Sequence, residues 1–140
     1  MKDPSLRRIL FVEDDPDIQT VAKMALEAIG GFTVLACGSG SEALARLDEF
    51  APDLVLLDVM MPGMDGPATL AALRESPTGR ELPVVFMTAR VQAQEVTAYR
   101  EMGAEDVIAK PFDPMMLSEQ VLAIWRTLKA RADGARQGAG

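Results

Sequence analysis

The chain has 140 residues, a net charge of −7 and a hydrophobic fraction of 49%, the size and mix of one globular domain with its own core. It contains no histidine and a single cysteine, Cys37. Ser-His-Asp and Cys-His catalytic units, histidine-ligated zinc or iron, thiolate clusters and an internal disulfide are thereby excluded. The acidic balance argues against non-specific binding to nucleic acid or to an anionic membrane, and it suits carboxylates gathered around a hard cation. Apolar stretches run four or five residues, against the roughly 18 needed to span a bilayer. The start, Met1–Ser5 followed by Arg7-Arg8, has no long apolar run behind it, so no secretory leader is expected and the expected location is cytoplasmic.

The first apolar run, Ile9–Val12, reads as a strand and is followed by a helix. Asp15 is its N-cap, Pro16 its first residue, and Ile18, Val21, Ala22, Ala25 and Ile29 its inward stripe, with Gly30-Gly31 as the stop. Phe32–Ala36 is a second strand. Ser39-Gly40-Ser41-Glu42 has the spacing of a capping box and opens a helix that turns Ala43, Leu44, Leu47 and Phe50 inward. Leu54–Leu57 is a third strand, followed by a helix from about Pro67 with Leu70 and Leu73 inward. Val84–Met87 is a fourth, followed by a helix from Gln92 to Met102. Val107–Ala109 is a fifth. The last helix opens at Asp113-Pro114 and repeats Leu117, Val121, Ile124 and Leu128 at helical spacing. Trp125 falls off that stripe, and Tyr99 reads as similarly placed. Residues 1–130 are expected to form one domain and 131–140 a flexible C-terminal tail.

The strands are continuous in hydrophobicity rather than alternating, the signature of strands covered on both faces. Five β-α units therefore predict a doubly wound α/β domain with a five-stranded parallel sheet and five helices. In such folds the functional crevice lies at the carboxyl ends of the strands. Those ends carry Glu13-Asp14-Asp15, Asp58, Thr88-Ala89 and Lys110-Pro111. Taken alone, the acidic triplet also reads as a solvated turn capping the first helix, and Lys110 as a surface charge. Taken together, converging carboxylates repel unless a cation neutralises them, and an all-oxygen set suits Mg²⁺ or Mn²⁺. Carboxylates, a divalent ion, a lysine and a hydroxyl make a phosphoryl-transfer site in which an aspartate can be the nucleophile.

Four segments, Phe11–Asp15, Leu57–Gly66, Met87–Ala89 and Lys110–Phe112, resemble the motifs of the response-regulator receiver domain, the CheY-like module of two-component signalling. The resemblance runs from about Arg8 to Lys129. It implies the flavodoxin-like strand order 2-1-3-4-5 and a phosphorylation-dependent switch rather than an enzyme. Asp58 matches the phosphoacceptor. Glu13, Asp14, Asp58 and the backbone carbonyl of Met60 match the Mg²⁺ ligands. Thr88 matches the switch hydroxyl, with the Ala89 backbone beside it, Lys110 the phosphate-pairing lysine, and Pro111 a proline usually preceded by a cis bond. Met60 and Arg90 are expected to tune the lifetime of the phosphoryl group.

The implied donor is a histidine kinase or histidine phosphotransfer protein docking on the first helix near Gln19 and Thr20. The implied output is a face of helix 4, strand 5 and helix 5 that binds a protein target or a second copy of the chain. Val107 departs from the pattern, because the family often has an aromatic ring there. The expectation is that phosphorylation is read through loop and helix-4 shifts or through dimerisation. Two rivals stand beside this reading. One is an aspartate-nucleophile phosphatase, opposed by Met60 where an acid-base aspartate is usual. The other is a nucleotide or flavin module, suggested by Gly38-Ser39-Gly40-Ser41-Glu42-Ala43, which reads better as a turn plus helix cap.

Overall fold

The structure is a computed structural model describing residues 6–139, with side chains described for 6–134. Met1–Ser5, on which the expectation of a leaderless start rests, and Gly140 lie outside the described residues. Five strands, β1 (Arg8–Val12), β2 (Thr33–Cys37), β3 (Leu54–Asp58), β4 (Val84–Thr88) and β5 (Asp106–Ala109), alternate with five helices. The helices are α1 (Pro16–Ala28), α2 (Gly40–Phe50), α3 (Gly66–Glu75), α4 (Ala93–Met102) and α5 (Leu117–Ala139). The strands are all parallel, in the order β2-β1-β3-β4-β5.

Every residue of β3 and β4 is buried, while the edge strands β2 and β5 are only partly covered. That gradient is why the central runs are purely apolar. Side chains alternate across the sheet. Leu10, Val12, Val55, Leu57, Val84 and Phe86 pack under α2, α3 and α4. Ile9, Phe11, Leu54, Leu56, Val85 and Met87 pack under α1 and α5. Among the described residues no helix is long and apolar enough to cross a membrane.

The helix starts follow from their caps. Asp15 accepts hydrogen bonds from the N–H groups of Asp17 and Ile18, with Pro16 at the first helical position. Ser39 caps α2 by accepting from Glu42 N–H at 3.0 Å. The Glu42 carboxylate reaches back to Gly38 N–H, one residue before the cap, at 2.7 Å. A Cβ on Gly40 would stand 2.1 Å from the Thr69 hydroxyl oxygen, so this glycine lets α2 start close against α3 and has no need of a nucleotide. Asp65 caps α3.

Several expectations about the helices are corrected. In α1 the inward residues are Ala22, Ala25 and Leu26, while Val21 and Ile29 are exposed. The segment at Asp113-Pro114 is a turn braced by Asp113, which accepts from Met115 N–H at 2.9 Å, and α5 begins at Leu117. Trp125 is buried on the row Leu117, Val121 and Trp125, each four residues apart, with the Lys129 ammonium 4.7 Å above its ring. Tyr99 is likewise buried, edge-on to Phe86. Helix α5 continues past Ala130, where the sequence reading placed the start of a tail, through helix-forming Ala130, Arg131 and Ala132.

Cys37 closes β2 and is fully buried. Burial, reinforced by the Glu42 charge, pushes its thiol up to about 11. Because the thiolate is the reactive form, the folded protein near neutral pH is expected to resist iodoacetamide and to react fully once unfolded in guanidinium. Rapid alkylation of the folded protein, detected by mass, contradicts this placement.

Candidate functional site

Strand register assembles the site. Val12 of β1 and Leu57 of β3 are Cα partners, so the residues that follow them, Glu13 and Asp58, emerge side by side. Asp58 pairs with Met87, and Thr88 pairs with Ala109, which brings Thr88 and then Lys110 to the same end of the sheet. Glu13 N–H donates to the Cys37 carbonyl at 2.9 Å, and Lys110 N–H donates to the Thr88 carbonyl at 2.9 Å. Residues far apart in the chain are thus fixed by ladder bonds.

Glu13, Asp14 and Asp58 each offer a carboxylate oxygen, and these oxygens lie within 4.8 Å of one another. Glu13 and Asp58 are buried, at 2% and 4% exposure, whereas Asp14 is exposed. The Lys110 ammonium donates to Glu13 Oε1 at 2.8 Å and to Asp58 Oδ1 at 3.4 Å. Three carboxylates and one ammonium leave a charge of about −2 when all are ionised. Two like charges 4 Å apart repel by about 1 kcal/mol in water and about 4 kcal/mol near a protein surface. The donor set is therefore oxygen-only, negative and incompletely neutralised, which fits a hard divalent cation.

Burial holds the Glu13 carboxyl above its usual range. The Lys110 hydrogen bond and Asp15 N–H, which donates to Glu13 Oε2 at 3.1 Å, work against that rise, and the Asp58 charge adds to it. For Lys110, burial pulls downward, but the bond to Glu13 and the charges of Asp58 and Glu13 outweigh it and raise the ammonium above its ordinary value. Lys110 is thus a fixed cation.

The other expected residues fall around this pair. Thr88 is buried at the end of β4, and its hydroxyl accepts from Arg90 N–H at 3.1 Å. Ala89 is exposed next to it. Met60 N–H donates to Asp58 Oδ1 at 3.4 Å, and its side chain is exposed. The Lys110–Pro111 peptide is cis. Val107 lies one strand over from Phe86, half-buried against the α2-α3-α4 side of the core.

Sequence reasoning missed two features. The Gln19 side-chain amide donates to the Glu13 carbonyl and braces the acidic turn; nothing in its spacing marks it. A groove of about 480 Å³ beside Lys110 is lined by Ile18, Val21, Ala89, Pro111, Phe112 and Pro114. It continues past Val21 and Pro114 toward Met24, Ile29 and Met115. The exposed position of Val21 and Ile29, read from the sequence as inward, makes this apolar surface.

Residues 9–122 match the family model of the response regulator receiver domain. The chain belongs to this family. It is similar to the transcriptional regulatory protein CseB of Streptomyces coelicolor, 38% identical over 133 residues, 94% of this chain and 55% of that protein. It is also similar to the DNA-binding response regulator MtrA of Mycolicibacterium smegmatis, 40% identical over 121 residues, 86% of this chain and 51% of that protein. The receiver chain thus spans about half the length of these relatives. Among solved structures it resembles the chemotaxis protein CheY4 of Vibrio cholerae, with a TM-score of 0.78 and 25% identity, covering 85% of this chain and 98% of that one. A response regulator from Desulfuromonas acetoxidans gives a TM-score of 0.76 and 28% identity over 87% of this chain and 98% of that one. The chain is a receiver domain of two-component response regulators, a signalling switch. The assignment does not favour the phosphatase or the nucleotide and flavin readings.

Proposed function

We propose that this receiver accepts a phosphoryl group on an Asp58 carboxylate oxygen from a phosphohistidine of a sensor kinase or histidine phosphotransfer protein. The observation that carries the reading is the convergence of the Glu13, Asp14 and Asp58 oxygens within 4.8 Å, with the Lys110 ammonium bonded to two of them. The Asp58 oxygen attacks phosphorus, the P–N bond breaks, and its electron pair leaves with the donor imidazole nitrogen, which takes up a proton. The product is an acyl phosphate. This chain has no histidine, so the donor imidazole belongs to another molecule.

Glu13, Asp14, Asp58 and the Met60 carbonyl are the residues that would hold Mg²⁺ or Mn²⁺. When bound, the ion supplies positive charge against the phosphoryl oxygens. Lys110 pairs with a phosphoryl oxygen, while the Thr88 hydroxyl and the Ala89 backbone turn toward the group. The exposed apolar side chains Val21, Met24 and Met115 beside the groove, with Gln19 and Thr20 on the same helix, form the donor's docking surface. Met60 and Arg90 stand where water approaches Asp58 and set the lifetime of the acyl phosphate. The reading places the chain in the cytoplasm, with output through the α4-β5-α5 face to a protein target or a second copy. DNA binding, carried in the name of MtrA, is not assigned to this receiver segment.

Incubation with acetyl phosphate and Mg²⁺ tests the site directly. Intact mass is expected to rise by one phosphoryl group in the wild type and not at all in Asp58→Asn. No gain in the wild type, or an equal gain in the variant, overturns the assignment of Asp58.

A further inference from the structure

Among α1 to α4, helix α4 is the least buried. Of its ten residues one is buried, Tyr99, whereas α1 has three buried residues and α2 and α3 have four each. The Tyr99 ring stands edge-on to Phe86, with centroids 5.4 Å apart and planes at 87°. Phe86 is two residues before Thr88 on β4, so strand alternation puts both on the α4 side of the sheet. Val107 is the cross-strand partner of Phe86, and it is a short side chain.

The two ends of α4 are held differently. At the C-terminal end the Arg74 guanidinium donates to the carbonyls of Gly103 at 3.1 Å, Gly79 at 2.8 Å and Leu82 at 2.7 Å. That fork ties the end of the helix to α3 and to the loop before β4. At the N-terminal end the bonds are local. Gln92 N–H donates to Glu95 Oε1 at 3.1 Å, and Arg90 pairs with Glu95 at 3.8 Å through a largely exposed guanidinium. The same Arg90 donates its N–H to the Thr88 hydroxyl at 3.1 Å.

We propose that Tyr99 is the residue through which the state of the Asp58 pocket reaches α4; the proposal rests on the phosphoacceptor reading of Asp58. A Thr88 hydroxyl drawn toward an anionic oxygen on Asp58 leaves Arg90 N–H and vacates space on the face it shares with Phe86. Close-packed interiors do not keep such space empty. Val107 is too short to refill it, and the Tyr99 ring already touches Phe86. As the ring follows, α4 pivots about its Arg74-held end, and its first turn moves most.

The chain has a single tyrosine, so 3-fluorotyrosine places one ¹⁹F probe at position 99 without changing the fold. Adding beryllofluoride and Mg²⁺ is expected to shift that resonance in the wild type and leave it unmoved in Asp58→Asn, with the backbone amides of Asp58 and Lys110 recorded in parallel. In Tyr99→Leu the Asp58 and Lys110 amides are expected to shift as in the wild type, while the Ala93–Met102 amides lose most of their response; Tyr99→Phe keeps it. A ¹⁹F resonance that stays still while the Asp58 and Lys110 amides move overturns the coupling, and so does a full α4 response in Tyr99→Leu. A wild type whose Asp58 and Lys110 amides ignore beryllofluoride overturns the phosphoacceptor reading, and the coupling with it.

Discussion

Lys110→Ala is expected to slow phosphoryl gain on Asp58 by about a hundred- to a thousandfold, the usual loss when a fixed group facing developing charge is removed from a reaction centre. The expectation comes from where the ammonium sits. It bonds Glu13 at 2.8 Å and Asp58 at 3.4 Å, and its own side chain is only 19% exposed. Without it, two buried carboxylates lose their shared cation. Breaking a buried pair in this way costs about 3–5 kcal/mol, so the metal-free variant is expected to melt well below the wild type. The pocket also becomes more negative, so Mg²⁺ affinity is expected to rise and added Mg²⁺ to raise the melting temperature more than in the wild type. Rates of mass gain and thermal unfolding with and without Mg²⁺ check both parts. A variant phosphorylated at the wild-type rate would falsify the role given to this lysine.

Gly66→Ala is the second large effect, and it acts through the backbone. A Cβ at this position would lie 2.7 Å from the Asp58 carbonyl oxygen and 2.7 Å from the Val59 Cα. Neither atom belongs to a flexible side chain, so the main chain of Asp58 and Val59 itself must move. Alanine gains about 1 kcal/mol over glycine inside a helix, but Gly66 is the first residue of α3, where that gain is small. Overpacking costs about 1–3 kcal/mol, and displacing a reactive group by about 1 Å can cost a hundredfold in rate. The clash wins, so the variant is expected to melt lower and to accept phosphoryl from acetyl phosphate far more slowly. Gly134→Ala is the matched control. Its Cβ meets nothing within 4 Å in α5, and that variant should be neutral or slightly stabilised. Equal behaviour of the two variants means that the close approach at Gly66 is unimportant.

The fold was legible because short apolar runs and capped helices each carry local signals. Asp15, Ser39 and the all-buried β3 and β4 runs need no tertiary knowledge to interpret. The site was legible because strand ends converge in a doubly wound sheet, so Glu13, Asp58, Thr88 and Lys110 could be placed together by position alone. Side-chain partnership was not legible. The tighter bond of Lys110 is to Glu13, 97 residues away in the chain, and no local pattern encodes it. Trp125 and Tyr99 were misread because helical periodicity leaves the choice between rows three and four residues apart to the packing, and only the opposing strands decide it. For the same reason Val21 and Ile29 were counted as inward, when the row that meets the sheet is Ala22, Ala25 and Leu26.

The sheet also acts as a partition. Helices α1 and α5 lie on one of its faces and α2, α3 and α4 on the other. On the proposed docking, a donor along α1 and a target's contacts to α4 lie on opposite faces of the sheet, whereas that target's contacts to α5 lie on the donor's side. Under that reading, a partner that touches α4 alone can engage while the first visitor is still seated, and one that also grips α5 has to wait for it to depart.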